Sequence, residues 1–222
     1  MIYASRSLYS LLASVLCIGI IGYSLQFSKV NADPLAESLQ DTYMVAVDGN
    51  RKASEQVLKA VESLLHQYPD DPLLTAYYGS ALAIKARDTW IPWYRTDYTQ
   101  QGIDSLNKAL SQLSERSYST PYYGLNEGFY IQSLAAMTFI NMPDYFHQSS
   151  RGYALLKDIM SSENFQYYPF APRAWIHFGA VQAALALNNT ADASKWAKEM
   201  FQLAPTHPMT VEALRITQHI AH

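Results

Sequence analysis

Histidines are the residues of this chain whose spacing comes closest to a catalytic or metal-binding pattern. His219 and His222 stand three residues apart and could share a helix face as metal ligands, but local spacing fixes no third ligand. His147 and His177 are accompanied by no nucleophile elbow, phosphate-binding loop or H-E-x-x-H signature. The sequence therefore predicts a non-catalytic protein with no cofactor and no metal.

Aromatic side chains offer a different chemistry, that of binding. In residues 85–98, Trp and Tyr are interleaved with Arg and Asp. Trp, Tyr and Arg dominate the energetics of protein interfaces. Two interpretations are open: the rings fold back as packing over a longer connection, or they form an anchor patch for a protein partner. The candidate protein-binding residues are Trp90, Trp93, Tyr94, Arg95, Tyr98, Tyr77, Tyr122 and Tyr123.

Three tyrosine pairs extend the binding interpretation beyond residues 85–98. They are Tyr77-Tyr78, Tyr122-Tyr123 and Tyr167-Tyr168, and together with side-chain amides such as Asn126 and Gln132 they could line a groove that holds a peptide. Half-buried packing with a hydrated hydroxyl is the more frequent role of such tyrosines. Sequence alone does not place these side chains on one face.

Composition limits the class of partner. The chain has 222 residues, of which 49% are hydrophobic, and 16 basic against 19 acidic residues give a net charge of −3. No basic run is present, so the charge pattern that nucleic-acid binding requires is missing. About 190 residues can bury roughly 70% of their unfolded surface, which suffices for one domain without metals or disulfides. The only cysteine, Cys17, cannot form an intrachain disulfide.

The elements that must position the aromatic residues are helices. Apolar residues recur at spacings of three and four, and prolines or short polar turns separate the runs. No period-two alternation predicts a strand. The predicted helices cover residues 53–65, 73–86, 99–113, 125–140, 147–160, 173–187, 191–203 and 208–219, with 85–98 inserted between the second and the third.

The N-terminal segment predicts contact with a membrane. No charged residue occurs from Ser7 to Phe27, which is long enough for a helix to cross a hydrocarbon core of about 30 Å. We expect residues 1–32 to be a signal anchor, with Arg6 in the cytoplasm and residues 33–222 forming one periplasmic helical domain at the inner membrane. The alternative is a signal peptide cleaved after Ala32, which would release a soluble periplasmic protein.

Residues near the chain end carry a family resemblance. The first helix of the predicted hairpin over 173–203 carries two large residues and one small one, Trp175, Phe178 and Gly179. The second helix carries the small residues Ala193 and Ala197 and is followed by Pro205, which ends it. This pattern resembles a degenerate tetratricopeptide repeat. The resemblance implies an all-α stack of antiparallel helix hairpins, an α-solenoid, that buries one face and offers the other to a partner.

A second resemblance covers residues 85–113. The pattern A-R-D-x-W-x-P-W precedes a helix with Gly-x-x-x-Leu-x-x-Ala-Leu. It is similar to a bacterial group of small exported repeat proteins of undefined activity that accompany ABC transporter components. The resemblance implies another envelope or membrane protein as partner, with an ABC transporter component as the most specific version.

We therefore expect a protein–protein interaction scaffold of the bacterial cell envelope. The alternative is a periplasmic carrier that holds a small apolar molecule or lipid in a cavity between helix hairpins. A third possibility is a secreted protein whose helices hold a multimer together.

The N-terminal expectation has a direct test. If residues 1–32 are a retained anchor, Edman sequencing or intact mass of the protein from cell membranes should report the uncleaved N-terminus. A mature chain beginning at Asp33 would instead establish the cleaved, soluble alternative.

Overall fold

The computed structural model describes residues 34–218, and the side chains of residues 39–218. Within this part of the chain α-helices predominate, so the predicted all-α class is confirmed. The chain divides into two compact units with a boundary between Gln112 and Leu113. The sequence predicted one domain over 33–222, and each unit is described here by itself.

The first unit contains four helices within its described residues 34–112. Asn50 caps the second helix by accepting the Ala53 amide at 3.0 Å, and Asp71 caps the third by accepting the Leu74 amide at 2.9 Å. Pro72 and Pro92 occupy first-turn positions, where the missing N–H costs no hydrogen bond. The helices are α1 (Pro34–Val47), α2 (Arg51–Gln67), α3 (Pro72–Asp88) and α4 (Pro92–Ser111).

Helices α3 and α4 make the most extensive contact among the described helices of this unit. A Cβ atom added to Gly79 would lie 2.9 Å from the Gly102 carbonyl oxygen, and one added to Gly102 would lie 2.9 Å from the Gly79 carbonyl oxygen. The two backbones therefore touch directly at these glycines. Leu82, Ile103 and Leu106 fill the seam on either side and are almost fully buried.

Residues 85–98 do not form an inserted loop, contrary to the sequence prediction. The helix α3 continues through Asp88, and α4 begins at Pro92, seven residues before the predicted start at position 99. Only Thr89, Trp90 and Ile91 lie outside the two helices. The physical reason is that Pro92 starts a helix here instead of interrupting one.

The second unit contains seven α-helices within its described residues 113–218, together with a short hairpin and one 3₁₀ turn. The elements are α5 (Glu115–Ser119), β1 (Pro121–Tyr122), β2 (Leu125–Asn126), α6 (Glu127–Ile140), the 3₁₀ turn Asp144–Phe146, α7 (Ser149–Ser161), α8 (Glu163–Gln166), α9 (Phe170–Ala186), α10 (Thr190–Leu203) and α11 (Pro208–Thr217). The predicted boundaries of α6, α9 and α10 agree with these to within three residues.

The hairpin β1–β2 is a departure from the prediction that no strand is needed. Tyr122 pairs with Leu125 in an antiparallel ladder, and the turn between them has positive φ angles of 45° at Tyr123 and 75° at Gly124. Two positive φ angles match a two-residue turn of type I′, for which glycine is favoured at the second position. The strands are too short for an alternating sequence pattern to reveal them.

Helix α6 forms the centre of the second unit. Most of its residues are buried, including Ile131, Ala135 and Phe139, which have no exposed surface. Because it is buried on nearly all sides, it has little amphipathic character and its contacts come from several neighbours. Phe178 in α9 and Ala193 and Ala197 in α10 are also buried, at the positions that carry the repeat resemblance.

Polar contacts join α7 to the start of α10. The Tyr153 hydroxyl donates to Asp192, the Asn189 amide donates to Tyr153 at 2.7 Å, and Lys157 lies 3.4 Å from the Asp192 carboxylate. Burial and the hydrogen bond to Asp192 raise the pKa of Tyr153 to about 12. The hydroxyl therefore remains a donor throughout the ordinary pH range.

Within residues 34–218, no helix combines the length and apolar character needed to cross a membrane. The segment 1–32, on which the predicted signal anchor falls, lies outside the described residues.

The glycine contact gives the first structural prediction. Replacing Gly79 with Ala places a methyl group 2.8 Å from the Leu106 Cγ and 2.9 Å from the Gly102 carbonyl oxygen. Overpacking of this kind costs about 1–3 kcal/mol, while the higher helix propensity of Ala returns about 1 kcal/mol. One of the clashing atoms is a backbone carbonyl oxygen that cannot turn away, so the cost should lie near the upper end of this range. We therefore expect Gly79→Ala to lower the free energy of unfolding by about 2 kcal/mol in urea titrations.

The matched control is Gln100→Ala on the exposed face of α4. It should change the free energy of unfolding by less than about 0.5 kcal/mol. Equal stability of Gly79→Ala and wild type would show that α3 and α4 can separate without cost.

Candidate functional site

The site predicted in residues 85–98 presents its rings to solvent. Trp90 is 81% exposed, Trp93 68% and Tyr94 50%. The ring centroids of Trp93 and Tyr94 are 6.1 Å apart, and those of Tyr94 and Tyr98 are 6.4 Å apart, so these rings form one patch along the start of α4. Residues 89–94 are called the tryptophan turn below. The interpretation in which the rings fold back as packing is wrong, because two of them are mostly exposed.

The backbone of the tryptophan turn is held by hydrogen bonds from both helices. The Arg95 guanidinium donates twice to the Thr89 carbonyl oxygen, from Nη2 at 2.8 Å and from Nε at 3.2 Å. The Thr89 hydroxyl donates to the Lys85 carbonyl oxygen at 2.7 Å. Arg95, which the sequence proposed as a direct binding residue, therefore contacts the turn itself.

Below the turn, Arg87 and Asp88 connect three helices. Arg87 donates from Nη1 to the Val47 carbonyl oxygen at 2.8 Å and from Nη2 to the Ala46 carbonyl oxygen at 2.9 Å, which satisfies the C-terminal end of α1. Its Nε lies 2.9 Å from the Asp88 carboxylate, whose other oxygen accepts the Ser54 hydroxyl of α2 at 2.6 Å. We call this set the Arg87–Asp88 clasp.

Tyr77 does not belong to the exposed patch. It is only 2% exposed, and its ring packs edge-on against Tyr43 at 5.2 Å. The Tyr43 hydroxyl in turn lies 2.7 Å from the Ser80 hydroxyl, and burial raises the pKa of Tyr43 to about 12. Tyr77 is thus part of the core of the first unit and does not contribute to an exposed binding surface.

Tyr122 and Tyr123 lie in the second unit, at the hairpin. Tyr122 contacts Tyr123 at 4.8 Å and Tyr130 at 4.6 Å, and Tyr130 reaches Trp175 of α9 at 5.8 Å. Tyr123 is 40% exposed, whereas Tyr130 is buried. Apart from the buried Tyr77, the predicted binding residues therefore fall into two clusters, one in each unit.

A pocket of about 620 Å³ lies within the second unit. It lies among α5, α6, α7 and the segment around α8, and its lining combines tyrosines, side-chain amides and one carboxylate. The sequence proposed Gln132 and the pair Tyr167-Tyr168 as groove residues but missed Tyr118, Phe129 and Asp158. No local signal could have found these, because the lining combines residues 118–132 with residues 158–168, which only the fold brings together.

His177 lies in the core of the second unit. It has no exposed surface, and its Nε2 is 3.1 Å from Nη1 of Arg173, which also donates to the Gln166 side-chain oxygen at 2.6 Å. Its ring stacks on Phe165 at 5.7 Å, and Nδ1 has no hydrogen-bond partner within residues 34–218. Burial and the nearby Arg173 charge lower the pKa of His177 to about 3. A histidine held neutral and out of contact with solvent is not placed to exchange protons with a substrate.

Metal ligands are not grouped in residues 34–218: no three His, Cys, Asp or Glu side chains there are arranged to hold an ion. His219 and His222, the candidate pair at the chain end, lie outside the described residues.

Burial of His177 predicts a loss of stability at mildly acidic pH. In the unfolded chain its pKa returns toward 6.5, so the unfolded state binds a proton that the folded state does not accept. The free energy of unfolding should therefore fall between about pH 7 and pH 5, by up to about 1.4 kcal/mol per pH unit below the unfolded pKa. Urea titrations at several pH values measure this slope.

His177→Gln separates this effect from that of His207, whose pKa is also lowered by burial. Glutamine keeps an acceptor for Arg173 but cannot titrate. We expect a shallower pH slope in the variant, and an unchanged slope would assign the pH dependence to other groups.

No protein-family model, curated protein or solved structure matches this chain. The geometry of the tryptophan turn and of the pocket therefore carries the functional proposals.

Proposed function

We propose that this chain is a non-catalytic interaction scaffold of the bacterial cell envelope, whose tryptophan turn anchors another envelope or membrane protein. In this proposal the helix hairpins within each unit are of the tetratricopeptide-repeat type, and residues 1–32 tether the chain to the inner membrane. The most specific version makes the partner a component of an ABC-type transport complex.

The exposure of Trp90 and Trp93 is the observation that carries the proposal. Tryptophan is the largest apolar side chain, and leaving two of them 81% and 68% exposed within four residues gives up the free energy of burying them. Contiguous exposed rings of this kind mark interaction sites. Trp and Tyr are among the residues that most often act as interface anchors, and both types occur in this turn.

The rigidity of the turn supports the same function. The Thr89 carbonyl oxygen is held by Arg95, and the preceding residues are held by the Arg87–Asp88 clasp. A surface that is already ordered loses less conformational entropy when it binds. The network around the turn thus suits a preformed docking site better than a flexible loop.

The N-terminal segment supports a membrane location for the partner. An uncharged stretch from Ser7 to Phe27 has the length of a membrane-crossing helix. A tether of this kind confines the chain to the membrane surface, where a partner in the same membrane meets it at high effective concentration. Modest affinity at the tryptophan turn is then sufficient.

Site-specific photo-crosslinking in intact cells tests the proposal. A photoreactive phenylalanine analogue is placed at Trp93 of the full chain, and crosslinked proteins are identified by mass spectrometry. The matched control carries the analogue at Tyr68, an aromatic residue of the same unit that is 58% exposed and lies outside the patch. We expect an envelope or membrane protein to crosslink from position 93 and not from position 68.

Trp93→Ala completes the test, because the exposed ring contributes little to folding. The variant should keep the thermal stability of wild type while reducing recovery of the same partner with the full chain by at least about tenfold, as interface anchors do. Crosslinks that are equal at both positions, or a variant with undiminished recovery, would contradict an anchoring role for the turn.

A further inference from the structure

We propose that the pocket of the second unit binds a neutral, hydroxyl-rich small molecule, that is, a carbohydrate. The proposal concerns residues of the second unit alone and is independent of the function proposed for the tryptophan turn. It rests on the charge of the pocket, on its ring faces and on polar side chains that have no partner within the described residues.

Charge excludes a strongly charged ligand. Neither Lys, Arg nor His lines the pocket, so an anion finds no counterion there, and Asp158 is the only carboxylate of the lining. Asp158 is exposed, so its charge is screened by water and offers a cation only one weak counterion, and a neutral ligand fits best.

Aromatic rings supply the apolar part of the recognition surface. Tyr118 packs 5.7 Å from Phe129, and Tyr168 lies 6.2 Å from the same ring, so three rings meet at one wall. Tyr167 is 83% exposed at the rim, with no ring contact in the described part of the chain. Sugar rings have apolar C–H faces, and exposed aromatic faces can cover them.

The position of one ring is fixed by the cap of α6. Asn126 accepts the Phe129 amide at 2.7 Å and donates to the Tyr168 hydroxyl at 3.1 Å. Asn126 is only 5% exposed, and its side-chain oxygen and nitrogen are both used in these two hydrogen bonds, which hold the pocket wall in place. Tyr168 is therefore presented in a defined orientation before a ligand arrives.

Polar side chains around these rings remain available. The side chains of Gln132, Asp158 and Asn164 make no hydrogen bond or ion pair within residues 34–218, and all three line the pocket. Each side-chain amide offers a donor and an acceptor, and the carboxylate offers acceptors only. A hydroxyl group donates and accepts at once, so a ligand with several hydroxyls matches this mixture better than an apolar molecule does.

The volume is consistent with this class of ligand. A cavity of about 620 Å³ falls within the range of small-molecule sites, which is roughly 300–1,000 Å³. A bound lipid would remove water from the amides and the carboxylate of the pocket without forming hydrogen bonds to them. This would cost about 1–3 kcal/mol for each buried group. An apolar ligand, which the alternative carrier function would require, is thus poorly matched to the polar lining of this pocket.

Saturation-transfer NMR with the full chain tests the proposal. The protein is kept in a detergent without a sugar headgroup, and maltotriose, cellotriose and chitotriose are titrated separately. We expect at least one of them to bind with a Kd of about 1 mM or tighter. Tyr167→Ala should weaken that binding by about threefold to tenfold, because a stacking face is lost.

Two control variants sharpen the result. Tyr145→Ala removes a tyrosine that is 57% exposed in the same unit but outside the pocket, and it should leave binding unchanged. Asp158→Asn keeps hydrogen-bonding capacity without charge, so sugar binding should change by less than about threefold. Thermal unfolding of each variant verifies that the fold is kept.

Choline chloride serves as the opposing probe, since aromatic boxes with a carboxylate also recognise quaternary ammonium groups. Choline binding that is lost in Asp158→Asn, without binding of any of the three sugars, would overturn the proposal. So would the absence of sugar binding at concentrations around ten times the expected Kd, or sugar binding that Tyr167→Ala leaves intact.

Discussion

The direct contact between the backbones of α3 and α4 is the constraint on which the first unit depends. Where Gly79 and Gly102 face each other, any side chain would occupy the space of a carbonyl group. Close approach of this kind fixes both the separation of the helices and their axial register, because only one alignment brings the two glycines together. The positions of Pro92, Trp93 and Tyr94 on α4, relative to the end of α3, follow from that register.

The Arg87–Asp88 clasp holds the tryptophan turn in a defined position on the paired helices. Both residues are at the end of α3, yet their bonds reach the last carbonyl groups of α1 and the buried Ser54 of α2. Three helices therefore fix the base of the tryptophan turn. The exposed rings rest on this base without needing contacts of their own, which explains how a rigid backbone and mostly solvent-exposed tryptophans occur together.

Sequence periodicity predicted most of the long helices but missed α1 (Pro34–Val47). The spacing of apolar residues in α2, α6 and α10 is regular, and terminal prolines or Asn caps mark their ends. The start of α4 was misplaced because residues 92–98 contain few apolar residues facing a neighbour. The hairpin β1–β2 was not predicted because strands of two residues are too short to show an alternating pattern in the sequence.

Site residues were harder to predict because exposure depends on tertiary contacts. Trp90 and Tyr77 are both large aromatic residues near the same helix, yet one is 81% exposed and the other 2%. Tyr77 packs against Tyr43 of α1, a contact between residues 34 positions apart in sequence. The pocket of the second unit depends even more on such long-range placement, since Asp158 and Gln132 come from different helices.

Arg87 also provides a route by which force can pass from α1 to α3. Its guanidinium grips the carbonyl groups of Ala46 and Val47, at the end of the helix that is first in the described part of the chain. A pull on the N-terminal end of α1 would be transmitted through these two bonds to α3, three residues before Trp90. Part of such a load would therefore reach the end of α3 directly, alongside the part carried by the covalent connection from α1 to α2.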